Sequence, residues 1–262
     1  MGKKAKEKEV EVEEQEASED KPRAKARRRV RCPVCEGHGL AISDKGPACK
    51  CESCGVLFLN PRPSVGELLK TRDKRFDGAI TANHSLVRRT EAKDAIEAMK
   101  GYHFLISGKS APLNAFGKRV LDVGCGLGFR LFEFEKYGWT VIGLEPSKNA
   151  RAYTQAMMLN VIENDFESVR VGPFDLILIE DVIEEVTEPG KLVASIKESL
   201  SPGGVACVSV PLREEDEPES VPEGKLYLFN EDSLRKLFMQ AGFAEPQVKT
   251  EGKLQLWFKK RR

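Results

Sequence analysis

Long apolar runs are missing from this chain of 262 residues. No stretch approaches the ~18–20 consecutive apolar residues that a membrane span needs, and the opening MGKKAKEKEV is too charged to be the hydrophobic part of a secretory signal. The expectation is a cytoplasmic protein with no membrane partner. A dominant charge is missing too: 42 Lys and Arg nearly cancel 41 Asp and Glu, so the whole chain gives no argument for a polyanionic partner. Histidine is scarce, and His84 and His103 stand without a partner motif.

The length allows one full α/β core plus a small module. Five of the seven cysteines fall within Cys32–Cys54. Without an export signal, that crowding points to a metal site rather than a disulfide framework. Four regions follow from the pattern. Residues 1–30 are mostly Lys, Glu, Arg and Ala, too polar to offset their ordering entropy, and read as a disordered charged tail. The stretch Lys21–Arg31 carries seven basic residues and no acidic one, enough to touch an anionic surface, although a solubilising tail explains it as well. Residues 31–63 are rich in cysteines and turns, and residues 64–116 carry apolar residues at helical spacing that read as connecting helices. From 117 to 262, apolar strands alternate with amphipathic helices, the signature of a mostly parallel sheet. A helix is expected from a cap at Asn230 to Gly242, and two strand-like stretches near the end are expected to pair as a hairpin at the sheet edge.

In VLDVGCGLGF a strand runs into Gly124, Cys125 and Gly126 and then into a helix, which places small residues at the carboxyl edge of the sheet, where ligands bind. Glycines alone also serve dinucleotides, but here Phe129 stands where a dinucleotide fingerprint has its last glycine. Asp122, inside the strand, suits a cationic head group rather than a pyrophosphate. Glu145, at the tip of the next strand, is placed to accept from two ribose hydroxyls, and Asp165 with Phe166 offers an acceptor and a ring for a purine.

Taken in order, Val120–Phe129, Glu145, Asp165–Phe166 and FDLILIEDVIEEVTEPGKLVASIKESLSPGG resemble the successive motifs of class I S-adenosylmethionine-dependent methyltransferases, over about Gly117–Phe258. The resemblance implies a doubly wound, mostly parallel seven-stranded Rossmann-like sheet. It implies that Asp122, Gly124 and Gly126 hold the methionine part, Glu145 the ribose, and Asp165 with Phe166 the adenine. Cys125 of the loop and Glu180 at the end of the fourth strand belong with this cofactor-binding set, the Cys125 thiol itself being inert.

Cys32-x2-Cys35, fifteen residues, then Cys51-x2-Cys54 is the spacing of two knuckles that close a tetrahedron around Zn²⁺. Four thiolates leave no open position, so such a zinc is structural. Cys49 is an alternative to Cys51, and His38 reads as a loop histidine. The cysteine pattern followed by these motifs resembles a bacterial family of zinc-ribbon-bearing methyltransferases, which implies a small-molecule acceptor such as a sugar or biosynthetic intermediate. Methyl transfer asks the protein to align the acceptor and, for some acceptors, to remove a proton. Glu185 is the candidate for that base, standing where relatives carry a histidine; a solvated helix start is the plainer account of it. The competing functions are an RNA-directed methyltransferase, for which the basic stretches lack stacking aromatics, and a non-catalytic S-adenosylmethionine-binding scaffold. The acidic segment Arg213–Gly224 is a candidate lid.

Overall fold

The structure is a computed structural model that describes residues 30–42, 47–64, 66–68, 70–71, 73–74, 76, 84–109, 113, 115–164, 169, 171–212, 220–250 and 252–261. The expectations for residues 1–29 of the charged tail, for Asp165 and Phe166, and for most of the acidic segment 213–224 lie outside these residues, while Val30, placed in the tail, is in a strand. Among the described residues, no helix is long and apolar enough to cross a membrane.

The chain runs β1 (Val30–Arg31), β2 (His38–Ala41), β3 (Ala48–Cys51), β4 (Leu57–Leu59), α1 (His84–Ser107), β5 (Arg119–Val123), α2 (Phe129–Lys136), β6 (Thr140–Leu144) and α3 (Lys148–Ala156). It continues with β7 (Val161–Ile162), β8 (Phe174–Glu180), α4 (Pro189–Ser199), β9 (Leu200–Pro211), β10 (Tyr227–Leu228), α5 (Glu231–Gln240), β11 (Gln247–Thr250) and β12 (Lys253–Lys259). Seven strands make one sheet in the order β11-β12-β9-β8-β5-β6-β7. The five from β9 to β7 are parallel, while β12 lies antiparallel between β9 and β11. The expected closing hairpin is therefore present at the sheet edge.

Alternation along the central strands sorts side chains to the two faces. Leu121 and Val123 join Ile177 and Ile179 in one core with Leu192, Val193 and Ile196 of α4 and Leu234 and Phe238 of α5. Val120, Leu176 and Leu178 turn the other way, onto Ala95, Met99 and Tyr102 of α1 and Leu131 and Phe134 of α2. Both faces are covered, so FDLILIE reads as an almost unbroken apolar run, and each fully buried large side chain contributes ~1.5–3 kcal/mol. The helix ends are set locally. Asn230 and Ser233 form a reciprocal capping box at α5, Ser147 caps α3, and Pro189 opens α4.

The N-terminal strands make a second, antiparallel sheet of order β1-β2-β3-β4-β10. Its fifth strand comes from more than 160 residues downstream: Tyr227 pairs with Phe58 and Leu228 with Leu57. Val34, Val56 and Phe58 of this ribbon belong to the same core as Ile179, Val182, Tyr227 and Leu234.

Candidate active site and thiolate cluster

Strands β5, β6 and β8 end at one edge of the parallel sheet, and a cavity of about 440 Å³ opens there. Gly124 and Gly126 of the loop after β5 form its floor, with Glu145 beyond β6 and Glu180, Asp181, Val182 and Glu185 at and beyond the end of β8. The remaining wall is α1, through residues that include Thr90, Glu91 and Asp94. The loop needs its glycines: Gly124 has φ +76°, and at Gly128, with φ +78°, a Cβ would lie 2.6 Å from Thr154 Cγ2.

Glu145 is 2% exposed, and its carboxylate is set by two backbone N–H donors, Gly126 at 3.0 Å and Ser147 at 2.8 Å. These bonds orient the carboxylate at the strand tip. Asp122 does not line the cavity. It is fully buried behind Arg130, which does, and its Oδ2 lies 3.3 Å from Arg130 Nε. That contact is an ion pair without hydrogen-bond geometry, so neither Asp122 oxygen has a hydrogen-bond partner among the described residues. Burial pushes Asp122 up to about 6, with Arg130 pulling it back.

Arg130 is the hub of this region. Its guanidinium also meets Glu180, and its backbone N–H donates to Glu91 Oε2 at 3.3 Å. Burial opposes the Arg130 cation, but Asp122, Glu180 and Glu91 around it raise its pKa above the ordinary value. Burial likewise opposes the Glu180 carboxylate, yet Arg130 and Lys253 hold it below its usual range. Lys253 bonds Glu180 and stands 3.1 Å from Asp94. Glu91 is pushed up to about 7, mainly by burial, against the attraction of Arg130.

Sequence reasoning missed Arg130, Glu91, Asp94 and Lys253. A strand acid as buried as Asp122 calls for a counter-ion, and the lone basic residue in the apolar start of the helix after the glycines, FRLF, was the available signal for Arg130. Cys125 is 1% exposed and packs towards Gly143, where a Cβ would come within 2.5 Å of its Sγ; burial raises its thiol well above the ordinary range. Glu185 is 3% exposed and lies in a turn ahead of α4 with its backbone N–H on the Val182 carbonyl. It is neither solvated nor at a helix start, which removes the plainer account of it.

In the ribbon, Cys32, Cys35, Cys51 and Cys54 bring their sulfurs within 4.8 Å of one another. Cys32 and Cys54 are 3.7 Å apart and Cys35 and Cys51 3.5 Å. A zinc tetrahedron with Zn–S bonds of ~2.3 Å has edges of ~3.8 Å, so the four thiols fit that ion. Backbone N–H groups of Val34 and Ser53 point at the sulfurs of Cys32 and Cys51, each at 3.4 Å, and Gly55 turns the second knuckle at φ +71°. The hydrogen bond between the Cys32 and Cys54 sulfurs lowers the pKa of Cys32 and raises that of Cys54. Cys49 and His38 are outside the group. Cys49 sits two residues back on β3, buried, with its thiol raised by that burial, and His38 is exposed.

The chain is 34% identical over 103 residues to a ubiquinone biosynthesis O-methyltransferase of Shewanella halifaxensis, covering 36% of this chain and 44% of that protein. A namesake from a Caulobacter species is 29% identical over 102 residues, covering 36% and 40%. The chain thus spans less than half the length of these curated relatives. Among solved structures, an S-adenosylmethionine-dependent methyltransferase from Aquifex aeolicus superposes with a TM-score of 0.52 at 19% identity, over 76% of this chain and all of that one. One from Thermotoga maritima superposes with a TM-score of 0.53 at 18% identity, over 75% and 99%. These two share the seven-stranded α/β fold. The methyltransferase domain family matches residues 89–246, more than half of the sequence, from within α1 to beyond α5, and the chain belongs to that family.

Proposed function

We propose that this chain is an S-adenosylmethionine-dependent methyltransferase acting on a small molecule, with a ribbon at 31–63 that holds a structural zinc, helical residues 64–116, and a catalytic region 117–262. The observation that carries the reading is Glu145. A buried carboxylate fixed by two backbone donors at the tip of the second strand, beside a glycine loop at the edge of a parallel sheet, suits a ribose diol. S-adenosylmethionine, when bound, supplies an electrophilic methyl group. Gly124 and Gly126 take its methionine part against the loop, with Cys125 contributing backbone only. Asp122, ion-paired with Arg130, complements the ammonium as part of the net-acidic charge network that includes Glu180. Asp165 and Phe166 are assigned to the adenine.

Glu185, buried at the cavity wall, is the group that orients the acceptor and takes the proton from its hydroxyl. An oxygen acceptor accords with the names of the curated relatives. Six carboxylates in the cavity wall against one arginine disfavour a nucleic-acid backbone there. A cytoplasmic location accords with a cluster of reduced thiols.

The test is calorimetric titration of the zinc-loaded protein with S-adenosylhomocysteine, comparing the parent with Glu145→Ala. The substitution is expected to weaken binding by ~1–3 kcal/mol, the range for lost buried hydrogen bonds. No binding by the folded parent would sink the proposal.

A further inference from the structure

The ribbon is connected to the cavity by a continuous set of bonds. Its β4 pairs with β10, and the Leu59 N–H donates to the Leu226 carbonyl at 3.0 Å. The Leu226 and Tyr227 N–H groups, in turn, both donate to the Glu184 carbonyl, at 2.7 and 3.2 Å. The Tyr227 hydroxyl donates to the Thr187 carbonyl at 3.2 Å. Arg62, just beyond β4, donates to that same carbonyl at 2.7 Å and stacks its guanidinium 5.7 Å from the Tyr227 ring centre. Lys225 places its Nζ 2.9 Å from the fully buried Glu184 carboxylate and 3.5 Å from Asp181. The bonds made by Arg62, Lys225, the Leu226 and Tyr227 amides and the Tyr227 hydroxyl end on the segment 181–187, which contributes Asp181, Val182 and Glu185 to the cavity. The glycine loop is held differently: Gly124 and Cys125 donate to the Leu144 carbonyl of the neighbouring parallel strand, and among the described residues no hydrogen bond reaches them from the ribbon.

We infer that the thiolate ribbon is a built-in support for the acceptor side of the cavity, and that Arg62, Lys225 and Tyr227 are positioning residues that hold Glu185 through the 181–187 segment. The words acceptor and cofactor rest on the methyltransferase reading above; the bonding does not. The four cysteines fix the knuckles and the end of β3, β3 fixes β4, β4 fixes β10, and β10 fixes the turn that carries Glu185. The glycine loop is held by the parallel sheet and by α3, whose Thr154 hydroxyl donates to the Gly126 carbonyl at 2.9 Å. A metal that fills a closed thiolate site thereby acts on the cavity without touching a ligand in it.

Amide hydrogen exchange on the full chain, zinc-loaded and after chelation, tests the connection. The Glu185, Leu226 and Tyr227 amides are expected to exchange at least about tenfold faster without the metal, while Gly124 and Cys125 stay within about twofold. An equal rise at the glycine loop, or none at 181–187, overturns the inference. A second comparison avoids metal removal: the zinc-loaded Arg62→Ala, Tyr227→Phe double variant is expected to lose protection at 181–187 with its zinc content intact. Unchanged protection in that variant overturns the positioning role. S-adenosylhomocysteine titration of the same samples separates the two ideas: failure to bind the loaded parent removes the cofactor reading and leaves the exchange result to stand by itself.

Discussion

Replacing Lys225 with methionine isolates a buried charge whose energetics are set by the fold. Glu184 is fully buried, and burial pushes it from an ordinary 4.5 up to about 7, with Lys225 and its hydrogen bond pulling the other way. A carboxyl whose native pKa exceeds its unfolded one binds more protons when folded, so its contribution to stability falls as pH rises between the two values. In the parent that window runs from about 4.5 to about 7. Each pH unit in it is worth ~1.36 kcal/mol, so this one group costs about 3 kcal/mol by neutral pH and no more above it. Lys225→Met removes the nearest cation, 2.9 Å away, and lifts the native Glu184 pKa further. The variant then goes on losing stability above pH 7, where the parent has levelled off. The gap between them should widen by about 2 kcal/mol between pH 6 and 8.5. Urea unfolding of both zinc-loaded proteins across that range measures it. A gap that stays constant with pH would mean that Glu184 does not titrate against Lys225, and the reasoning would fail.

Two further outcomes are specific enough to check. Cys51→Ser should abolish stoichiometric zinc binding in a chromogenic release assay while Cys49→Ser keeps one ion per chain, because only Cys51 belongs to the sulfur group. Gly128→Ala places a Cβ at φ +78° and 2.6 Å from Thr154 Cγ2, and should cost about 2 kcal/mol or more in thermal unfolding.

Much of the fold was legible because it is written locally. The apolar run at Phe174–Glu180, the cap at Asn230 and the glycine loop after β5 each declare themselves within a few residues, and each is found where the pattern put it. The thiolate group was legible for the same reason, two short knuckles with fixed spacing. What escaped notice depends on contacts between distant segments. Nothing near Tyr227 says that it will pair with Phe58, because an antiparallel bridge of two residues leaves no periodicity. Helix α1 carries Glu91 and Asp94 among residues spaced like those of any connecting helix, so only its packing on α2 shows that it walls the cavity. Arg130 drew no notice in the sequence, and its burial is matched by its ion pair with Asp122 on the neighbouring strand.

The shared core of ribbon and main body bears on how the chain can be cut. A fragment lacking the first 63 residues would leave Tyr227 and Leu228 as an unpaired strand, and would uncover Leu226, Phe229 and Leu234, all nearly or fully buried in the whole protein. An open strand edge beside a newly bared apolar patch is a recipe for self-association. A fragment trimmed to the family boundary at residue 89 is therefore expected to be sticky where the whole chain is not.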